Sequence, residues 1–181
     1  MNLPNRITLA RIVLVPILLL ILSVKIKYGL FLAAGVFILA ASTDGLDGYL
    51  ARKRKEVTKL GKFMDPLADK LLISAALISL VELGQITAWV AFIIIGREFA
   101  VTGLRAIAAA DGVIISASRL GKLKTVSQII AIVFLFIHDF PFDVWKIPVG
   151  KFAMGVAVFF TIWSGLDYFK KARHLLRAGS K

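Results

Sequence analysis

The chain has 181 residues and no cysteine. It is 59% hydrophobic, with a mean hydropathy of +0.84. That excludes a disulfide framework and a cysteine-based metal site, and it sits well above the ~45–50% apolar content of ordinary soluble domains. A net charge of +12, with only 19% of residues charged, points to an integral membrane protein with basic cytoplasmic loops and anionic surroundings. The length suits a single domain spanning 1–181, and no nucleic-acid partner is expected.

Crossing a bilayer as a helix takes about 20 mostly apolar residues. Stretches 7–24, 28–50, 63–83, 86–110, 116–137 and 148–169 meet that requirement. They predict an all-α, polytopic bundle of six transmembrane helices. The first stretch follows Arg6 and looks like a signal peptide in outline. It has no convincing small-residue cleavage site and carries Arg11 inside the run, so it reads as a retained helix. Pro4 suits a helix start, so the chain is expected to open on a short interfacial helical turn. Asn5 lies one turn before Thr8, and Thr8 and Arg11 share a face, as an interfacial helix with a snorkelling arginine would place them.

Basic residues crowd three places. The connection after the second stretch holds Arg52, Lys53, Arg54, Lys55, Lys59 and Lys62. The side where the fourth and fifth stretches join holds Arg105, Arg119, Lys122 and Lys124, and the tail holds Lys170, Lys171, Arg173, Arg177 and Lys181. On the opposite side, residues 82–87 contain no Lys or Arg, the turn after the first stretch has Lys25 and Lys27, and the loop after the fifth has Lys146 with Lys151 just beyond. This positive-inside bias predicts both termini in the cytoplasm.

The second stretch closes on STDGLDGYLAR, residues 42–52. At ~100° per residue, Asp44 and Asp47 lie about 60° apart on one helix face. Gly48 and Ala51 share that face, so the acids occupy a small-residue stripe that a ligand or another helix can approach closely. Gly61, Asp65 and Asp69 recur every four residues and form a second stripe. A hairpin through the basic connection would bring four carboxylates face to face. Asp65 precedes Pro66, so a plain helix N-cap is the competing reading for that residue; it does not cover Asp44, Asp47 and Asp69 together.

On helical rise, Asp44 lies ~12 Å before Arg52 and Asp69 lies ~10 Å beyond Lys62. The acids therefore sit just inside the cytoplasmic ends. An aspartate at a helix centre costs roughly 2.5–3.5 kcal/mol to insert, and four unpaired carboxylates repel one another. Divalent cations resolve both problems, and hard oxygen donors favour Mg²⁺, Mn²⁺ or Ca²⁺. Two ions among four carboxylates, beside a cationic surface, point to phosphoryl chemistry, with an uncommitted aspartate able to accept a proton. Spacing alone favours an enzyme and leaves a divalent-cation transporter and a structural polar cluster open.

The pattern Asp44-x₂-Asp47-Gly48-x₂-Ala51-Arg52-x₈-Gly61-x₃-Asp65-x₃-Asp69 resembles the complete signature of the CDP-alcohol phosphatidyltransferases, with eight fixed residues across 26 positions. The six-stretch layout is similar to that family over nearly the whole chain, and NLPNRITLAR resembles its opening. The resemblance implies that an alcohol attacks the β-phosphorus of a CDP-linked lipid, releasing CMP. It implies that Asp44, Asp47, Asp65 and Asp69 hold two divalent cations, Mg²⁺ or Mn²⁺, with Asp69 also the general base. Gly48 and Gly61 would leave room for the cytidine and ribose, with Ala51 close by. Arg52 would lie near the nucleotide phosphates and Asn5 would contact the diphosphate. It further implies a homodimer in the cell membrane, with the active site facing the cytoplasm.

The acceptor is read from the second half. The apolar run 86–95 is too short to span alone, so Arg97 sits inside the fourth helix, and an intramembrane arginine marks a functional site by default. Glu98 beside it suits an ion pair with a basic residue of another helix. Arg97 and Arg105 are about 80° apart around the helix, and Arg119 and Lys122 are i,i+3 partners. Together these four could surround an anion, which guanidinium groups bind bidentately. Lys124 points elsewhere and marks the cytoplasmic boundary. GREFAVTGLR followed by GKLKT resembles the branch of the family that uses sn-glycerol 3-phosphate and CDP-diacylglycerol. In that reading Arg97 and Lys122 hold the acceptor phosphate, flanked by Arg105 and Arg119. Inositol phosphate is the nearest alternative acceptor. His138 and the three tryptophans, Trp89, Trp145 and Trp163, are read as non-catalytic, and the basic tail as a contact for anionic lipid headgroups.

Overall fold

The computed structural model describes residues 3–24, 26–54, 59–110, 112, 119–138, 140 and 147–179, with the backbone alone at 3–4, 44–54, 59–60, 62–63, 110, 119 and 171–179. Among the described residues every regular element is a helix. In chain order these are α1 (Leu3–Ser23), α2 (Gly29–Arg54), α3 (Lys59–Glu82), α4 (Ala88–Ala110), α5 (Arg119–Phe136) and α6 (Val149–Gly179).

Several helix limits differ from expectation for local reasons. The N-terminal turn is the first turn of α1 and not a separate piece. Pro4 falls where an unbonded N–H is normal, so the helix starts without loss. Helix α3 begins at Lys59, which places Pro66 inside it. Asp65 therefore stands more than a turn and a half into the helix, and the N-cap reading of this residue is overturned. Helix α6 continues ten residues past 169 because its basic end is rich in good helix formers. At the other end of α3, Gly84 adopts φ 69°. Its N–H donates to the Val81 carbonyl at 3.0 Å, and the Gln85 N–H donates to the Leu80 carbonyl at 2.9 Å. This left-handed cap is one that glycine adopts without Cβ strain.

Helix α1 packs against α2 and α3; α3 also meets α4 and α5; α6 lies along α5 and α4. Leu18, Phe37, Leu72, Leu77, Leu80, Ile94, Ile132 and Phe136 form a fully enclosed core. Phe37 and Phe136 meet edge to face, with centroids 6.1 Å apart, a favoured aromatic geometry. Alanines 33, 40, 76, 131 and 157 are buried among them, and such small residues let helix backbones approach closely.

Large apolar side chains also point outward, including Trp89, Phe92, Phe152, Trp163 and Leu166. Apolar surface on this scale calls for a non-aqueous covering. By length and composition, Asn5–Ser23 (mean hydropathy 2.2) and Val149–Lys170 (1.5) could each cross a membrane alone. The remaining helices are interrupted by more charged and polar residues.

Candidate active site

Asn5, Thr8 and Arg11 face inward from α1. Thr8 is 1% exposed and Arg11 is 0% exposed, so Arg11 does not snorkel. Its Nε donates to Thr43 Oγ1 at 3.0 Å, and the Thr43 hydroxyl donates in turn to the Ala40 carbonyl at 2.7 Å. The Thr8 hydroxyl donates to Asp65 Oδ1 at 2.6 Å. Because α1 is seated against both α2 and α3, its polar face finds hydrogen-bond partners indoors, which removes the cost that would drive an arginine toward the headgroups. One face of α1 thus ties to both acidic helices, on α2 at the residue just before Asp44.

Asp65 and Asp69 stand one turn apart on α3, with buried Gly61 a further turn back. Both acids line a cavity of ≈ 620 Å³ formed by α3, α4 and α5, with Tyr168 of α6 in its wall. Arg97 and Arg105 from α4 and Lys122 from α5 line the same cavity. The fold therefore brings five of the sequence-expected residues to one chamber, acids on one wall and cations on another. Lys122 and Arg105 are exposed, whereas the Arg97 side chain is only 11% exposed.

Arg97 is tightly framed. Its Nη2 donates to Ser164 Oγ at 2.9 Å, and its Nη1 reaches Glu98 Oε1 at 3.4 Å. Its guanidinium carbon lies 5.4 Å from the centre of the Tyr168 ring, within cation–π range. Glu98 Oε1 also takes a hydrogen bond and ion pair from Lys124 Nζ. The expected partner of Glu98 on another helix is thus Lys124. Lys124 is 4% exposed, so it is not a boundary residue: α5 turns this lysine toward α4, where Glu98 compensates the charge. Glu98 is thus shared between two cations, Arg97 and Lys124.

The side chains of Asp44, Asp47, Gly48, Ala51, Arg52 and Arg119 lie outside those described. The backbone through 44–52 is helical and α2 packs on α3, so the i,i+3 relation of Asp44 and Asp47 holds. Among the described residues no three carboxylate or imidazole side chains converge, as expected when half of a four-aspartate set is not among them. The described half suits hard cations. Asp65 and Asp69 offer carboxylate oxygens to one chamber, and the Thr8 hydroxyl occupies a single oxygen of Asp65, leaving its other lone pairs for a metal.

His138 lies away from this chamber. Its ring is 3.1 Å from Gln85 Nε2 beyond the far end of α3, about 20 Å along the helix from Asp69 at 1.5 Å per residue. Trp89 and Trp163 are exposed, as expected for interfacial or packing residues; Trp145 lies outside the described residues. The residues missed from sequence are on α6. WSGLDY at 163–168 interrupts an apolar run, and Ser164 and Tyr168 are i,i+4 on one face, a signal visible in the sequence although their partner on α4 is not.

The chain matches the CDP-alcohol phosphatidyltransferase family over residues 1–163, and it belongs to that family of membrane-associated enzymes. Relatives similar to it over nearly their whole length are each named CDP-diacylglycerol–glycerol-3-phosphate 3-phosphatidyltransferase. The protein of Bacillus subtilis (strain 168) is 48% identical, with 99% of each chain covered. That of Pseudomonas fluorescens is 39% identical, covering 100% of this chain and 95% of the relative. That of Rickettsia typhi is 38% identical, covering 95% and 97%.

Proposed function

We propose that the protein transfers the phosphatidyl group of CDP-diacylglycerol to sn-glycerol 3-phosphate, giving phosphatidylglycerol phosphate and CMP. The observation that carries this reading is the shared chamber. Asp65 and Asp69 line it together with Arg97, Arg105 and Lys122, so a metal-binding wall faces an anion-binding wall across a space large enough for a small phosphorylated alcohol.

Arg97 and Lys122 hold the acceptor phosphate, Arg97 through N–H pairs suited to phosphate oxygens. Arg105 and Arg119 border the same anion. The acceptor's 1-hydroxyl, thereby aimed at the β-phosphorus, loses its proton to Asp69 as the new O–P bond forms. The bond from the β-phosphorus to the bridging oxygen breaks, and CMP leaves with that oxygen. Asn5 contacts the diphosphate, Arg52 lies near the nucleotide phosphates, and Gly48, Ala51 and Gly61 make room for cytidine and ribose. Asp44, Asp47, Asp65 and Asp69 would hold two divalent cations, Mg²⁺ or Mn²⁺, which when bound supply the positive charge that stabilises the diphosphate and the departing phosphate. The Thr8 hydroxyl steadies Asp65 for this role.

In this reading all six helices cross the cell membrane, with both termini and the chamber on the cytoplasmic side, the acyl chains staying in the bilayer, and two copies pairing as a homodimer. The basic 2–3 connection and tail support that orientation. The test presents purified protein in lipid with CDP-diacylglycerol, Mg²⁺ or Mn²⁺ and one acceptor at a time. CMP release with glycerol 3-phosphate, abolished by a chelator and restored by added metal, is the expected result. Turnover with inositol phosphate alone would overturn the acceptor assignment. No CMP release with any acceptor would overturn the transferase reading.

A further inference from the structure

The α6 face at Ser164, Gly165 and Tyr168 has no chemistry of its own and does not carry the acidic motif. Each of these residues nevertheless meets the side chain of Arg97, on a different helix. The Ser164 hydroxyl is buried and donates to the Thr161 carbonyl at 3.2 Å. Its proton is thereby engaged, which leaves its lone pairs to accept from Arg97 Nη2 at 2.9 Å. Tyr168, 4% exposed, offers its ring face to the guanidinium. Gly165 lies beneath the aliphatic stem. A Cβ added there would stand 3.3 Å from Arg97 Cγ and 3.8 Å from Nε. The first distance is tighter than most carbon contacts, so the arginine stem must give by a few tenths of an ångström, a shift that its bonds to Ser164 and the ring resist.

The same cradle leaves Arg97 incompletely satisfied. Its Nε is a buried donor without an acceptor among the described residues. Nη1 and Nη2 each make one contact, so one N–H remains on each. An unpaired buried donor disfavours a fold. A guanidinium held so firmly and paired so sparingly at a cavity wall is arranged to receive a ligand. Below it the support continues: Gln128 Nε2 on α5 donates to Thr161 Oγ1 at 3.0 Å, and the Thr161 hydroxyl donates to the Ala157 carbonyl at 2.6 Å. The seat of Arg97 thus belongs to the rigid α5–α6 contact.

We infer that Ser164, Gly165 and Tyr168 are positioning residues for acceptor recognition: α6 sets the place of the Arg97 guanidinium and, through it, that of the acceptor phosphate. This rests on the reading of Arg97 as an acceptor-phosphate ligand. Misplacing a positioned group by about 1 Å can cost on the order of 100-fold in rate, so removing one support should be visible without loss of the fold.

The test is steady-state kinetics on Gly165→Ala, Ser164→Ala and Tyr168→Leu in mixed micelles, with glycerol 3-phosphate and CDP-diacylglycerol varied separately. Arg97→Ala is the reference and Leu166→Ala, on the exposed side of α6, is the control. The expected result is an acceptor KM raised about tenfold or more in each cradle variant, with the KM for CDP-diacylglycerol unchanged. Leu166→Ala should stay within about twofold of the parent, as for an ordinary surface substitution. An unchanged CDP-lipid KM, with thermal unfolding in detergent like the parent's, separates positioning from general destabilisation. If Arg97→Ala raises the acceptor KM and the cradle variants do not, or raise both KM values alike, the positioning role is overturned while the acceptor site stands. If Arg97→Ala itself leaves the acceptor KM unmoved, the acceptor-site reading fails, and this inference with it.

Discussion

Asp69 and Arg97 line one chamber from neighbouring helices and call for opposite partners. A carboxylate at Asp69 can take a proton; an asparagine of nearly the same shape cannot. Asp69→Asn is therefore expected to lower kcat by about 10²–10⁴-fold, the usual worth of a general base, while weakening CMP binding far less. Single-turnover kinetics alongside CMP titration would check this, and an unchanged kcat would remove Asp69 from the role. Arg97 contributes charge and directed N–H groups in a largely enclosed place. Arg97→Ala should cost about 2 kcal/mol or more of acceptor recognition, seen as a higher acceptor KM with CDP-lipid binding intact. The chemical types at 65, 69, 97, 105 and 122 were legible in the sequence, because ionised groups in an apolar run demand an explanation. Lys124 was not, since a lysine near a helix end is equally compatible with solvent and with a buried partner.

Between elements, paired groups lock the helices together. Lys124 on α5 and Glu98 on α4 are both largely enclosed, so removing one strands the other. Glu98→Leu should destabilise the protein by about 3–5 kcal/mol, as breaking a buried pair does, whereas Glu98→Leu with Lys124→Met should recover much of that loss. Thermal unfolding in detergent would compare the two, and equal losses would show that the pair is not the source. Helix α1 performs a similar service by way of Thr8 and Arg11. Thr8→Val removes one short hydrogen bond to a carboxylate, worth about 1.5–3 kcal/mol. It is expected to raise the Mg²⁺ concentration needed for half-maximal activity, because Asp65 loses the brace that orients it. A metal titration unchanged from the parent would reject that link. The N-terminal stripe could be seen in sequence as a shared face; that it faces inward depends on α1 being flanked by both α2 and α3.

At the scale of the whole molecule, orientation and the number of membrane crossings are open to direct measurement. The chain has no cysteine, so a single introduced thiol reports without background. Thr87→Cys, in the connection between α3 and α4, should react with a membrane-impermeant maleimide on intact cells. Ser180→Cys, in the basic tail, should react only after permeabilisation. Labelling of both in intact cells would overturn the cytoplasmic placement of the termini.

Helical class, the number of helices and the acidic stripes on α2 and α3 followed from residue order alone, because hydrophobic run length and the 3.6-residue period are local properties. Pairing across helices did not follow. It depends on how far each helix is rotated about its axis and which neighbours it meets, and a turn of 100° moves one side chain from a lipid-facing surface to a cavity wall. Only the tertiary structure could therefore turn Arg11 inward, pair Lys124 with Glu98 and set Arg97 against Ser164, Gly165 and Tyr168. The motif names the chemistry on two helices. The packing of the other four decides how the groups around that chemistry are held.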